Sequence, residues 1–353
     1  MDFTFTQEQQ EMADALRRLL TDICAPAQMR RVFDGADRQS EARWQGLAQL
    51  GLFGVLAREA DGGLGLAPVD FVLLAQAAGR AALPEPLCEQ AGLAVPALAE
   101  LPGAKESVPP AAAGRDRVAV VHAQNPHALV PPGVTHWLLC EADGVYLYAA
   151  GEVEALAIPS VDAARQLARP QVACDAAHRR AQGAQAQRLA QQMLERGALY
   201  AAAQCLGLTE KLLALAVDYA KQRAQFDRAI GSYQAIKHQL ANVQVRLEFA
   251  RPVVYAAAAC LSEDARSAAR ISHAKLAAGD AADLAARTAM QVHGAMGYSW
   301  EVDLHFYMKR VWALLGAWGD RSFHARRVQA LLTDGAFALG PETTFVPSSG
   351  ETR

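Results

Sequence analysis

Charge of one sign, long apolar runs and paired cysteines are all scarce in this 353-residue sequence. The 34 basic and 37 acidic residues nearly balance, so charge gives no reason to expect nucleic acid or a membrane surface as a partner. No apolar run reaches the roughly 18 residues of a membrane-spanning helix. The stretch Met1–Glu8 lacks the basic and apolar segments of a signal peptide. We therefore expect a cytoplasmic protein.

The few cysteines are widely separated, with no CxxC pair and no His–Cys cluster. Because disulfide frameworks and metal sites depend on patterned cysteines, the sequence predicts free, buried thiols in a reducing compartment and no bound metal. The six positions are Cys24, Cys88, Cys140, Cys174, Cys205 and Cys260.

What the sequence does contain is helical periodicity at both ends. A chain of 353 residues has room for two or three domains. Thr6 and Gln9 have the spacing of a capping box, and apolar residues then recur at helical intervals. The expected N-terminal helices cover residues 6–23, 40–50 and 68–80, and the glycine-punctuated loop Gly51–Gly65 separates the second from the third.

The pattern changes near residue 109. Short β-prone runs alternate with Pro, Gly and Asp, which predicts a small, mostly antiparallel β module; the runs are Val118–His122, His136–Cys140 and Gly144–Ala149. From about residue 186 the pattern is helical again, and we expect four long helices at 187–222, 233–262, 264–294 and 301–334.

These elements predict a mainly α protein with a small β domain. We expect an N-terminal helical domain at 1–108, a shortened middle β domain at 109–185 and a C-terminal four-helix bundle at 186–340. The polar segment 341–353 is expected to be poorly ordered.

Two stretches interrupt the C-terminal helices. Arg223–His238 combines a basic residue, an aromatic, a glycine and an amide, which a plain helix would avoid. Ala286–Glu301 ends a helix with Gly294 and Gly297, and these glycines permit close approach of a ligand to the backbone. Taken alone, the second stretch could equally be a helix C-cap followed by a turn.

Together these stretches resemble the two flavin-contacting motifs of the acyl-CoA dehydrogenase family, and Gly62–Gly65 is similar to its N-terminal glycine loop. The resemblance implies the order helical domain, β domain and helix bundle, with FAD as cofactor. It places flavin contacts, made to a neighbouring subunit, on Arg223, Phe226, Gln234, Gln291 and Gly294. Arg223 would bind the pyrophosphate, Phe226 would pack on the cofactor, and the two glutamines would hydrogen-bond its polar groups.

The catalytic base of the family is missing from its expected places. The family carries a glutamate just before a Gly at the start of the last helix, or on the first bundle helix; here those positions hold Trp318 and Gly197. Glu195 and Asp320 are nearby candidates. On a helix, however, two residues turn Glu195 by about 200° from Gly197, and Asp320 has the character of an N-cap. Glu248 is interpreted as an ion-pair partner of Arg251.

The middle segment also lacks the family's Thr-Glu-Pro-x-x-Gly-Ser loop. The chain therefore resembles the short, base-lacking subunit of α2β2 acyl-CoA dehydrogenases of the steroid side-chain type. This resemblance implies a larger catalytic subunit, an acyl-CoA substrate with room for a bulky polycyclic group, and an electron-transferring flavoprotein as electron acceptor.

Two alternatives stay open at this point. The chain could be a self-sufficient homo-oligomeric dehydrogenase that uses Glu195 or Asp320 as a relocated base. It could also be a structural helical protein that has lost flavin binding. Retention of Arg223 and Gln291 favours a flavin-related role over the second alternative.

Overall fold

The computed structural model describes residues 4–261 and 265–335, so the predicted tail 341–353 lies outside the described residues. The described chain is mainly helical with small β-sheets between two helical regions, as predicted. Within these residues no helix is both long and apolar enough to cross a bilayer. No group of three or more His, Cys, Asp or Glu side chains in this part of the chain is arranged to hold a metal ion.

The N-terminal region packs short helices around one apolar core. Thr6 and Gln9 form the predicted capping box at the start of the first helix. The helices are α1 (Gln7–Ile23), α2 (Pro26–Phe33), α3 (Glu41–Gln49) and α4 (Pro68–Ala81), followed by a π-helix (Cys88–Ala94), α5 (Val95–Glu100) and α6 (Val108–Ala112). Of these elements, α2, the π-helix, α5 and α6 were not predicted from the sequence.

Two small sheets follow. The first has the order β1–β3–β4–β7, and the second has the order β2–β6–β5. Only the β1–β3 pairing is parallel within them, so the expected antiparallel character is confirmed. The strands are β1 (Val118–His122), β2 (Ala128–Leu129), β3 (His136–Glu141), β4 (Gly144–Ala149), β5 (Glu154–Ile158), β6 (Leu167–Gln171) and β7 (Arg179–Ala181).

The C-terminal bundle contains one more helix than the sequence predicts. The expected helix 301–334 is wrong as a single element, because the backbone breaks where Trp318 and Gly319 adopt φ values of 57° and 95°. The elements are α7 (Gly183–Gln222), the hairpin β8 (Ala224–Gln225) and β9 (Arg228–Ala229), α8 (Gln234–Ala259), α9 (Ala265–His293), α10 (Leu304–Gly316) and α11 (Arg321–Thr333).

Helices α4 and α7 join the N-terminal region to the bundle through a close crossing. A Cβ added to Gly207 would lie 2.0 Å from the carbonyl oxygen of Gln76, and one added to Gly79 would lie 2.2 Å from that of Gln204. Backbone atoms cannot move aside as a flexible side chain can, so each glycine is required by the approach of the opposite helix.

Buried ion pairs connect all three regions near this crossing. Arg43 Nε donates to Glu85 at 2.7 Å, and Arg310 pairs with Asp162, which lies between β5 and β6. Arg310 also donates to the carbonyl of Leu83 at 2.7 Å. Burial raises the pKa of Glu85, with the charge of Arg43 opposing that shift. Loss of one partner would leave an uncompensated buried charge, so Arg310 fixes the bundle against the other two regions and the Arg43–Glu85 pair holds the N-terminal region together.

All six cysteines are free. The expectation that they are buried is wrong for Cys174, which is exposed, and holds only in part for Cys260. Burial raises the pKa of the Cys24 and Cys140 thiols to about 12, so neither is a thiolate at neutral pH.

Candidate functional site

The first sequence motif forms a tight hairpin between α7 and α8. Phe226 and Asp227 occupy its two-residue turn with φ values of 54° and 65°. Turns with both central residues at positive φ normally carry Gly, Asn or Asp, and a non-glycine residue there costs about 1–2 kcal/mol. The Phe226 side chain is 88% exposed. The hairpin therefore holds an aromatic ring in solvent on a strained backbone.

Backbone and aromatic contacts fix the hairpin. The N–H of Arg223 donates to the carbonyl of Tyr219 at 2.8 Å, and the N–H of Ile230 donates to the carbonyl of Arg223 at 2.8 Å. The Tyr233 hydroxyl donates to the carbonyl of Gln225 at 3.1 Å, and the guanidinium of Arg228 lies 3.9 Å from the Tyr233 ring centroid. The Arg223 side chain, by contrast, is exposed. Its guanidinium is thus presented outward from a fixed backbone.

Gln234 is the first residue of α8, and its side chain is also exposed. Tyr233 precedes it as N-cap without a side-chain hydrogen bond to the helix. The N–H groups of the first turn of an uncapped helix attract anions, and the helix dipole adds to this attraction. An uncapped helix start beside Arg223 is chemically suited to a phosphate group.

The second motif lies at the end of α9. Gly294 has a φ of 58° and open space where a side chain would project, while Gln291 is exposed. Between them, His293 is buried and stacks on Tyr219 of α7 with ring centroids 4.2 Å apart. Burial lowers the pKa of His293, so the ring is neutral at pH 7. This stack connects the end of α9 to the last turn of α7 and so brings the two motifs together.

All five predicted flavin-contacting residues are exposed on these connected elements. They provide a guanidinium, two amides, an aromatic ring and a glycine that allows close backbone approach. These groups can hold a nucleotide cofactor that is bound mainly by another surface, because as exposed groups on one chain they leave the cofactor open on its other side.

The two positions at which the resemblance places a base, 197 and 318, lie in the interior and face each other. Trp318 is 2% exposed, and a Cβ added to Gly197 would lie 2.2 Å from Cδ2 of its indole. The indole therefore occupies the space next to Gly197. Neither position offers an ionisable group, so this interior can perform no proton abstraction at either place.

Several buried groups hold Trp318 in its left-handed conformation. The backbone N–H of Trp318 donates to Asn125 Oδ1 at 3.4 Å, and its backbone carbonyl accepts from His324 Nε2 at 3.0 Å. His324 Nδ1 lies 3.1 Å from Ser272 Oγ. Burial, and then the charge of Lys275, lowers the pKa of His324 to about 4, so the ring is neutral at pH 7. No local sequence pattern indicates Asn125 or His324, because both act through tertiary contacts.

Glu89 is a buried acid that the sequence reasoning missed. It lies on the π-helix Cys88–Ala94, where the irregular backbone obscures helical periodicity. Burial raises the pKa of Glu89, while the charge of Arg165 is the largest effect that opposes that shift.

The two candidate bases have other partners. Glu195 is buried and accepts a hydrogen bond from Arg327 Nη2 of α11 at 2.8 Å. Asp320 caps α11 by accepting from the N–H of Phe323 at 2.7 Å, as expected of an N-cap. Glu248 pairs with Arg251 at 3.3 Å, as also predicted.

A groove of about 360 Å³ opens between α9 and the α10–α11 connection. Its charged lining residues are Asp280, Asp283, Asp320, Lys275 and Arg321. Lys275 is itself buried and donates to the carbonyl of Leu314 at 2.8 Å, and Arg321 pairs with Asp280 at 3.1 Å. The groove is therefore a poor site for a pyrophosphate, in contrast to the exposed face at Arg223.

Comparison with known proteins agrees with this geometry. Residues 6–101 match the model of the acyl-CoA dehydrogenase N-terminal domain, and residues 187–329 match that of the C-terminal domain. The chain is 31% identical to the acyl-CoA dehydrogenase IpdE2 of Mycobacterium tuberculosis, over 86% of this chain and 91% of the relative.

Two solved structures have the same fold. One is from the ChsE4–ChsE5 complex of Mycobacterium tuberculosis, with a TM-score of 0.82 and 24% identity over 95% of this chain and 99% of that one. The other is from the Tcur3481–Tcur3483 steroid ACAD, with a TM-score of 0.81 and 25% identity over 94% and 99% of the two chains. The chain belongs to the acyl-CoA dehydrogenase family, which confirms the resemblance of its motifs.

Proposed function

We propose that this member of the acyl-CoA dehydrogenase family is a non-catalytic subunit of an FAD-dependent acyl-CoA dehydrogenase, and that it completes the FAD site of a larger catalytic subunit in an α2β2 complex. One observation carries the proposal. The five residues predicted to contact FAD are all exposed, whereas the two positions at which the resemblance places a base hold Trp318 and Gly197, packed against each other in the interior.

The exposed face fits half of an FAD site. Arg223 would hold the pyrophosphate together with the uncapped start of α8, and Phe226 would pack against the cofactor. Gln234 and Gln291 would hydrogen-bond its polar groups, and Gly294 leaves room for close approach. When bound, FAD supplies the hydride acceptor for α,β-dehydrogenation of an acyl thioester.

The interior of this chain does not fit the other half of the active site, which would hold the base and the substrate. The Trp318 indole takes the space beside Gly197, and the groove between α9 and the α10–α11 connection carries three aspartates, Asp280, Asp283 and Asp320. In this proposal the larger subunit provides the base and the thioester site. The ion pair of Glu195 with Arg327 and the capping role of Asp320 argue against a relocated base in this chain.

The substrate and redox partner follow from the relatives. The solved neighbours include a two-component complex and an enzyme described as a steroid ACAD. We infer an acyl-CoA substrate with a bulky steroid-type acyl group, and an electron-transferring flavoprotein as electron acceptor. The shortened β region is consistent with a wider cavity in the assembled enzyme.

Expression of the chain alone and together with a larger homologous subunit tests the proposal. We expect a colourless chain alone, and a yellow, active α2β2 complex after co-expression. Arg223→Ala should deplete the complex of FAD, while Arg246→Ala, an exposed control further along α8, should leave the flavin content unchanged. A chain that binds one FAD per subunit alone and oxidises acyl-CoA would exclude the proposal.

A further inference from the structure

We infer that a cleft between α1, α2, α4, α7 and α10 is a binding site for a small oxyanion. The cleft has a volume of about 250 Å³ and separates the N-terminal helices from the bundle. Three basic residues line it: Arg17, Arg80 and Lys211. No acidic residue is among the lining residues. The cleft is thus basic in a protein whose overall charge is slightly negative.

Lys211 and Arg80 lie close enough to repel each other. Burial is the main cause that lowers the pKa of Lys211, and the charge of Arg80 is the next. Lys211 Nζ lies 5.3 Å from the Tyr307 ring centroid, and within the described ranges it forms no ion pair. Two neighbouring cations, of which Lys211 has no ion-pair partner within the described ranges, repel each other less when an anion lies between them.

The nearest carboxylate compensates Arg80 only in part. Glu210 lies 3.3 Å from Arg80 Nη1 but 2.8 Å from Arg251 Nη2, and it also accepts from Gln76 Nε2 at 2.6 Å. One carboxylate is therefore shared by two guanidinium groups and an amide. Arg17 pairs with Asp14 on the outer side of α1. Asp218 and Asp303 also act on Lys211 and oppose the lowering of its pKa, but neither lines the cleft, and Asp303 pairs with Arg30 at 2.7 Å.

Tyr307 supplies a further hydrogen-bond donor. It is 6% exposed and lines the cleft, and its hydroxyl makes no hydrogen bond to any residue that the structure describes. Helix α2 begins at the cleft edge with Pro26, which has no N–H to donate. The Tyr307 hydroxyl and the Lys211 ammonium group are therefore the donors that a phosphate or carboxylate would accept together.

The rest of the lining sets the size and character of the ligand. Leu20, Ala77 and Ala81 form an apolar wall. A volume of about 250 Å³ is below that of typical drug-sized sites, so it suits a free anion or an anionic group on a short aliphatic body. The shared chemistry is an oxyanion bound at Lys211 and Tyr307.

This site is separate from the flavin-contacting face. Lys211 precedes Arg223 by 12 positions on α7, which is about 18 Å along the helix axis. The inference therefore does not depend on the proposed flavin role, and either can fail without the other.

Isothermal titration of the full chain with inorganic phosphate and with hexanoate tests the inference, with hexanol as an uncharged probe. We expect at least one of the two anions to bind and hexanol not to bind. Phosphate binding alone would indicate a phosphate-bearing ligand, and hexanoate binding would indicate a short carboxylate. Absence of binding for both anions, or equal binding of hexanol, would overturn the inference.

Variants identify the cleft as the place of binding. Lys211→Met should lower the affinity for the anion about tenfold. Tyr307→Phe should lower that affinity several-fold. Lys211→Arg should keep most of the affinity, and Lys105→Met, on an exposed turn elsewhere, should keep all of it. Circular dichroism without anion should show each variant folded. Unchanged affinity in folded Lys211→Met would place the anion elsewhere and refute the assignment.

Discussion

The rings of Tyr219 and His293 stack with centroids 4.2 Å apart and planes 24° apart. Tyr219 lies in the last turn of α7, four residues before Arg223, and His293 ends α9 between Gln291 and Gly294. His293 Nδ1 also lies 2.7 Å from the carbonyl of Ala289, which fixes the orientation of its ring. The two motifs that are separate in sequence thus share one aromatic contact in the fold.

Tyr219→Ala should therefore weaken FAD retention in the co-expressed complex without removing any group that would touch the cofactor. An aromatic pair contributes about 0.5–1.5 kcal/mol beyond its buried area, so the dissociation constant for FAD should rise by up to about tenfold. Fluorescence titration of the apo complex with FAD measures this change. Tyr219→Phe, which keeps the stack, should bind FAD as the parent does; equal weakening in Phe and Ala variants would contradict the role of the ring stack.

Phe226→Gly should separate stability from cofactor binding. Glycine removes the cost of positive φ, so the isolated chain should gain about 1 kcal/mol in its free energy of unfolding. The same change removes the exposed ring, and the complex should lose FAD more readily. Urea unfolding and flavin content measure the two effects.

Asp227→Gly is the matched control, because Asp227 has a φ of 65° in the same turn. It should relieve less strain, because Asp tolerates positive φ better than Phe does, and it should leave the flavin content unchanged. If Asp227→Gly depleted FAD as strongly as Phe226→Gly, the shape of the hairpin and not the ring would be responsible.

Gly197→Ala should destabilise the chain although alanine is the better helix former. Its Cβ would lie 2.2 Å from the Trp318 ring, and overpacking of this kind costs about 1–3 kcal/mol. Combination with Trp318→Leu should recover much of the loss, which a double-mutant cycle in urea would detect. Gly46→Ala on α3, where the nearest atom is a Leu19 methyl at 3.4 Å, should be neutral or stabilising.

His324 should make the folded chain sensitive to acid. Its pKa is about 4 in the folded state against 6.5 in its unperturbed state, so between these pH values the unfolded chain binds more protons. The free energy of unfolding should therefore fall as pH decreases from 6.5 to 4. The loss reaches about 3 kcal/mol when the pH is below both pKa values. Urea unfolding at pH 7.5 and 4.5 measures the slope.

His324→Gln, which can still donate to the Trp318 carbonyl, should reduce that slope. The exposed ring of His238 on α8 offers a comparison, and His238→Gln should leave the slope as it is in the parent chain. An identical pH dependence in His324→Gln and the parent would show that other groups determine the acid response.

The sequence predicted those parts of the fold that depend on local signals. The capping box at Thr6 and Gln9 and the N-cap at Asp320 were both visible, because each satisfies backbone groups within three residues. The prediction of one helix over 301–334 was wrong, although Asp320 indicated a helix start inside that range. The break itself falls at Trp318, and a tryptophan at positive φ has no local cause in the sequence. It is held there by Asn125 and His324, which are brought to it by folding.

For the candidate site, the sequence motifs indicated a set of residues but not how those residues are arranged in space. Motif resemblance indicated which side chains would contact a flavin, but their common exposure and the Tyr219–His293 stack follow from helix packing. In the same way, the sequence showed that residues 197 and 318 lack an acid. It could not show that the two positions, 121 residues apart in the chain, occupy one space.

The packing of the Trp318 indole against Gly197 has an evolutionary consequence. A glutamate introduced at position 197 would collide with the Trp318 indole, and a glutamate in place of Trp318 alone would put a charge into a space shaped for an aromatic ring. A descendant could place an acid at either position only through two coordinated changes, with a destabilised intermediate between them. Under the proposed function, this packing would make the loss of independent catalysis hard to reverse.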